Sequence, residues 1–127
     1  MVRAAIIGLG RWGRSLVNAV HGKTGAIRFV AAHSRTRTSA EDFLNGKNIP
    51  FADSYEAILA DKSIDAVVLA TPHSQHADQV IAATRAGKHI HCEKPLTLDL
   101  ASATAAVDAA KKAGLVLAVG FNRRFHP

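Results

Sequence analysis

The sequence contains one cysteine, Cys92, so no disulfide can close within its 127 residues. A small disulfide-framed scaffold is thereby excluded. Long apolar runs are missing too: none approaches the ~18 residues that a membrane-spanning helix needs. The N-terminal stretch Met1-Val2-Arg3-Ala4-Ala5 runs into a glycine cluster without a cleavable leader pattern. A cytoplasmic setting with no membrane association is the expectation. Aromatic residues are scarce at 6%, and neither a low-complexity linker nor an internal repeat divides the chain. Acids are the minority charge, 10 Asp and Glu against 16 Lys and Arg, which leaves +6. Such a surplus attracts anions. The basic residues are spread along the chain rather than gathered in a stripe with aromatics, which argues against a nucleic-acid partner. A phosphate-bearing cofactor accounts for the charge equally well.

What is abundant is alanine, 24 residues within an apolar fraction of 48%, at a mean hydropathy of +0.07. That balance suits closely packed helices and excludes disorder. The length suits one domain. Apolar runs of strand length alternate with segments of helical period. Strands are expected at Ala4–Ile7, Ile27–Ala32, Ala66–Ala70, His89–Cys92 and Leu115–Val119, with a weak, Pro-interrupted edge strand at Ile49–Phe51. Helices are expected over Arg11–His21, from an N-cap at Ser39, from Asp53 or Ser54 to Ala60, from Thr71-Pro72 to Gly87, and from Asp99 to Gly114. Strand–helix alternation implies parallel pairing with right-handed crossovers. The fold expected is a doubly wound α/β (Rossmann) sheet of about six strands with helices on both faces.

The first turn reads Gly8-Leu9-Gly10-Arg11-Trp12-Gly13, a G-x-G-x-x-G placed between a strand and a helix, the context that gives the pattern meaning. Gly8 permits the tight turn, Gly10 lets a pyrophosphate approach the backbone, and Gly13 lets the helix pack on its strand. The phosphates would then meet unpaired N–H groups at the helix N-terminus. Arg11 either reaches a phosphate or is solvated, and Trp12 either faces the ligand or packs locally. About 20 residues beyond this fingerprint an NAD site usually carries an acid for the ribose 2′-hydroxyl. The chain instead has Ala32-His33-Ser34-Arg35-Thr36-Arg37, and its next acid is Glu41. A hydroxyl and guanidinium groups bind a 2′-phosphate that a carboxylate would repel. Ser34 and Arg35, with Arg37 in support, therefore indicate NADP, with dual use of NAD as the alternative.

Three further motifs fall at strand ends, where open α/β sheets bind ligands: Ala70-Thr71-Pro72-His73-Ser74-Gln75-His76, Glu93-Lys94-Pro95-Leu96, and Gly120-Phe121-Asn122-Arg123-Arg124-Phe125. Seven histidines invite a metal reading. One thiol and no four-ligand spacing argue against it, so no metal is expected. His89 and His91 read as strand residues, and Cys92 as a small buried group.

Together, and in this order, the glycine turn and these motifs resemble the N-terminal domain of the Gfo/Idh/MocA oxidoreductases, over essentially the whole chain. The resemblance implies that Lys94 stands near the nicotinamide and the reacting hydroxyl or carbonyl. It implies that Glu93 and Pro95 shape that turn, and that Thr71, Pro72, His73 and His76 border the cofactor crevice. It places Asn122 and Arg123 close to the nicotinamide and the domain junction. It also implies a sugar or polyol substrate, a C-terminal substrate domain beyond a connection at 121–127, and a homo-oligomer for the complete protein. Lysine suits the chemistry: as an ammonium it polarises a carbonyl, and as an amine it takes the hydroxyl proton. The bland reading is a surface lysine paired with Glu93. Residues 1–120 would form the dinucleotide-binding unit of a dehydrogenase. The alternative is a stand-alone module that binds or senses NADP(H) without catalysis.

Overall fold

The structure, a computed structural model, describes residues 1–121. Its elements follow in the order β1 (Val2–Ile7), α1 (Arg11–Val20), β2 (Ile27–His33), α2 (Arg37–Asn45), α3 (Tyr55–Ala60), β3 (Ala66–Leu69), a 3-10 turn (His73–Gln75), α4 (His76–Arg85), β4 (His89–Glu93), α5 (Leu100–Lys112) and β5 (Leu117–Gly120). The strands form one sheet in the order β2-β1-β3-β4-β5, and every pairing is parallel. Among the described residues no helix is long and apolar enough to cross a membrane.

The side-chain alternation of β1 explains the two layers. Ala4 and Ile6 face one way and pack with Val17 of α1 and with Ala40 and Leu44 of α2. Ala5 and Ile7 face the other way and pack with Ile58 of α3, Val80 and Ala83 of α4 and Ala106 of α5. All four β1 residues are essentially inaccessible, as expected for a parallel strand buried on both faces. Each fully buried Ile contributes roughly 1.5–3 kcal/mol relative to exposure. The alanines let α5 approach closely, since Ala106 and Ala110 are its buried residues. Register aligns the strand ends: Ile7 pairs with His33 and with Leu69, Leu69 with Cys92, and Glu93 with Gly120. The C-terminal edge of the sheet thus presents the turns after β1, β2, β3 and β4 side by side.

The doubly wound sheet is as expected, with five strands rather than about six and with differences of detail. Ile49–Phe51 is not a strand but a single parallel bridge from Phe51 to Ala32. Pro50 has no N–H to extend a ladder, so only Ala32 N–H to Pro50 O and Ala52 N–H to Ala32 O form here, at 3.0 and 2.7 Å. The second helix begins at Arg37 behind Thr36 rather than behind Ser39, since starting there places Arg37 against Glu41 one turn on, at 2.7 Å. Of the two caps expected for α3, Ser54 is the one used, accepting from Ala57 N–H at 3.0 Å. The last strand starts at Leu117 because Leu115 N–H still closes α5 onto Ala110 O at 3.0 Å, around left-handed Gly114. Asp99 caps α5 as expected, taking Ser102 N–H at 2.7 Å.

Candidate functional site

The strand order reverses between β1 and β3, and a cleft of about 930 Å³ opens there. Such a switch point at the carboxyl edge is where open α/β sheets hold ligands. Gly8 through Trp12 form one wall, His33, Ser34 and Arg35 the end of β2, Ser54 to Glu56 the start of α3, and Ala70 to Pro72 with Ser74 and Gln75 the opposite wall.

The three glycines of the turn are not equivalent. Gly8 has φ +96°, and a Cβ there would lie 2.5 Å from Ala70 O. A Cβ on Gly13 would collide with the carbonyl oxygen of Gly8, so this glycine sets how closely α1 packs on the turn. Gly10 has an ordinary φ of −71° and nothing within 4 Å of its Cβ position. It is kept open toward the cleft. Gly10 is also the N-cap of α1, with no side chain capping it and no acid in the first turn. The first N–H groups of α1 therefore have no capping side chain and could pair with an anion. Arg11 and Trp12 border this space, and Trp12 is 45% exposed. Leu9 is buried, and its N–H donates to Ser34 Oγ at 3.2 Å, which draws the end of β2 against the glycine turn.

Arg35 is exposed at the rim of the cleft. Arg37 is turned away. Its guanidinium contacts Glu41 at 2.7 Å and Asp53 at 2.8 Å and lies over the Phe51 ring, 5.0 Å from its centroid. Hydrogen bonds to Glu41 and then Asp53 hold it charged, above the ordinary arginine range.

On the opposite wall, Thr71 Oγ1 donates to Gln79 Oε1 at 2.5 Å, and Tyr55 Oη donates to the Gln79 carbonyl at 2.7 Å. Burial pushes the Tyr55 phenol above its usual range, so it stays a donor. Pro72 lines the cleft, whereas His73 does not. His76 is fully buried. Its Nδ1 and Nε2 lie 2.8 Å from Pro95 O and 3.0 Å from Thr71 O, so it ties the turn after β3 to the turn after β4 instead of facing the cleft.

Glu93 accepts from His91 Nε2 at 3.0 Å, not from the lysine beside it. Lys94 is exposed, is joined to Pro95 by a cis peptide bond and has no ion-pair partner among the described residues. Lys94, Glu93 and Pro95 stand beyond the lined part of the cleft, toward β4. Asn122 and Arg123 fall outside the described residues. Among the described residues no three of His, Cys, Asp and Glu converge as a metal site would require. Burial pushes the Cys92 thiol up to about 12, which keeps it protonated and inert.

Sequence reasoning missed Tyr55, Glu56, Asp78 and Gln79, which line the cleft, and quoted His33 and Gln75 without giving them a role. Tyr55 could have been found, since it follows the Ser54 cap at the carboxyl edge. The residues of α4 carry no such signal.

The family model described as "Oxidoreductase family, NAD-binding Rossmann fold" matches residues 2–121. The chain is 40% identical over 132 residues to the scyllo-inositol 2-dehydrogenase (NAD(+)) of Bacillus subtilis, covering 99% of this chain and 37% of the relative. It is 40% identical over 115 residues to the D-xylose 1-dehydrogenase (NADP(+)) 2 of Haloferax volcanii, covering 90% of this chain and 35% of that one. The crystal structure of scyllo-inositol dehydrogenase from Lactobacillus casei with bound NAD(H) and scyllo-inositol superposes with a TM-score of 0.91 at 26% identity, over 99% of this chain and 38% of that chain. The chain thus spans little more than a third of the length of these proteins.

Proposed function

The chain belongs to the Gfo/Idh/MocA oxidoreductase family, and we propose that it binds the cofactor for a sugar or polyol dehydrogenase, NADP being favoured over NAD. The end of β2 carries the choice of cofactor. Ser34 and Arg35 border the cleft there, where an NAD site would hold a carboxylate. Two relatives of equal identity bear NAD(+) and NADP(+) in their names, so overall likeness leaves the cofactor open and local chemistry has to choose it.

The residues present fit a dinucleotide. The uncapped start of α1 and the open face of Gly10 suit a pyrophosphate, and Arg11 adds charge beside them. When bound, the nicotinamide supplies or accepts the hydride. Lys94 then gives or takes a proton at the substrate oxygen through Nζ. Its exposure and its freedom from Glu93 support that role over the surface-pair reading. Glu93 and Pro95 shape the turn that presents it, and His76 braces that turn against Thr71.

The unit at 1–120 would be followed, through 121–127, by a substrate domain that completes the site, in a cytoplasmic homo-oligomer. The relatives' greater length and the exposed apolar side chains Leu98, Leu100 and Phe121, at 67%, 82% and 49%, support the added domain. Fluorescence titration of the chain with NADPH and NADH tests the cofactor reading. NADPH should bind more tightly, and a preference for NADH would sink it.

A further inference from the structure

At the end of β2, His33 lines the cleft beside Ser34 and Arg35. It is held from two directions. Nδ1 lies 2.8 Å from the carbonyl oxygen of Ala52, and the ring packs on Phe51 with centroids 5.5 Å apart. Both partners belong to the short segment bridged to Ala32, and Arg37 covers Phe51. A carbonyl only accepts, so Nδ1 carries the proton of this bond. Nε2 has no partner among the described residues and is the ring nitrogen left for a ligand.

We propose that His33 selects between the two dinucleotides by its protonation state. The neutral ring accepts, at Nε2, a hydrogen bond from the 2′-hydroxyl of an NAD ribose. The imidazolium donates from Nε2 to the 2′-phosphate of NADP. This rests on the reading of the cleft as a dinucleotide site with the adenosine ribose at the β2 end. The chemistry follows from what each cofactor needs there. A 2′-hydroxyl needs an acceptor, which a carboxylate provides in NAD sites; no acid lies in Ser34-Arg35-Thr36, so a neutral imidazole fills the part. A 2′-phosphate needs donors. Arg35 is always one, and Ser34 can donate its hydroxyl proton while accepting from Leu9 N–H. His33 becomes a third donor only when it gains a proton, and imidazole changes charge between about pH 5 and 8.

The charged and titratable groups around the ring oppose one another. Arg11 on the glycine turn and Arg35 beyond β2 bring positive charge to the cleft, while Glu56 on α3 and Asp78 on α4 bring negative charge. Tyr55 is a neutral donor to the Gln79 carbonyl. Arg37 is matched by Glu41 and Asp53. A bound 2′-phosphate adds negative charge, so under this proposal NADP binding takes up a proton and NAD binding does not.

The test is fluorescence titration of the chain with NADPH and NADH from pH 6 to pH 8, for wild type, His33→Asn and His33→Phe, with circular dichroism to verify folding. Asparagine can keep the bond to Ala52 O but does not titrate; phenylalanine keeps only the packing. In wild type the ratio of NADH to NADPH dissociation constants should rise about tenfold more on going from pH 8 to pH 6 than in either folded variant. The variants also report the 2′-phosphate's own titration, which is common to all three proteins. If wild type favours NADPH but its ratio follows pH as the variants do, His33 is not the selector and the cofactor reading survives. If neither dinucleotide binds wild type, the cleft reading falls and the proposal falls with it.

Discussion

The two sides of the sheet's switch point differ in how finished they are. On the β1–β2 side, strands are covered on both faces, and Ala4, Ala5, Ile6, Ile7 and Phe29 are almost wholly inaccessible. The glycine turn, the end of β2 and the start of α3 close into a cleft whose walls bond to one another. On the β4–β5 side, β5 is the edge of the sheet, Val116 and Leu100 are exposed by 63% and 82%, and Lys94 projects without a partner among the described residues. Under the proposed function, cofactor binding and proton transfer fall to halves of unequal completeness. The first half should work within this chain, and the second should depend on what covers it.

The strongest way to break that contrast is at Lys94. In a protein that includes the substrate domain, Lys94→Met should lower turnover by about 10²–10⁴-fold, while NADPH affinity moves little. Steady-state kinetics beside a cofactor titration decides this, and turnover near wild type would remove the catalytic role. Full turnover by the 127 residues alone would instead show that the β4–β5 side needs no cover.

Within the finished half, Gly10→Val should cost at least about 100-fold in affinity for either dinucleotide, as two or more charge-assisted bonds are blocked. Its urea midpoint should stay close to wild type, because the added side chain meets open space. Gly13→Val should do the reverse and unfold the domain, by about 3–5 kcal/mol. Similar urea midpoints for the two variants would mean the glycines are interchangeable.

Arg35→Ala should weaken NADPH by about 10- to 100-fold and leave NADH nearly unchanged, whereas Arg37→Ala should affect neither directly, since its guanidinium is occupied by Glu41 and Asp53. Equal losses for both cofactors at Arg35 would detach it from the 2′-phosphate.

The smallest effect expected is on acid stability. Hydrogen bonds from Arg3 hold the Asp65 carboxyl below its usual range, and bonds from Ser102 do the same for Asp99. A carboxyl lowered on folding stabilises above its unfolded value of about 3.9, and that stabilisation is lost as pH falls through the lower folded value. Urea midpoints of Asp65→Asn and Asp99→Asn should therefore decline less steeply below pH 4 than wild type. Parallel acid limbs would show that these carboxylates titrate alike in both states.

How far the sequence could be read follows the range of the interactions involved. Alternation of apolar runs, the cap at Asp99 and the glycine turn are local patterns, and each appears where expected. The segment Ile49–Phe51 misleads because a strand needs a neighbour's ladder as well as its own residues. Arg37 misleads for a similar reason: its position two residues beyond Arg35 suggests a shared ligand, yet Asp53, 16 residues on, claims it.

By itself the sequence determined the doubly wound fold, the tight glycine turn and the lack of an acid at the end of β2, because backbone geometry and side-chain chemistry at those points are set by the residues themselves. Tertiary structure alone decided where the flexible groups turn. Ser34 is drawn to Leu9 across 25 residues, His33 to Ala52 across 19, and His76 to Pro95 across 19. A side chain with several rotamers takes the one whose distant partner satisfies it, and only the assembled sheet brings such partners within reach.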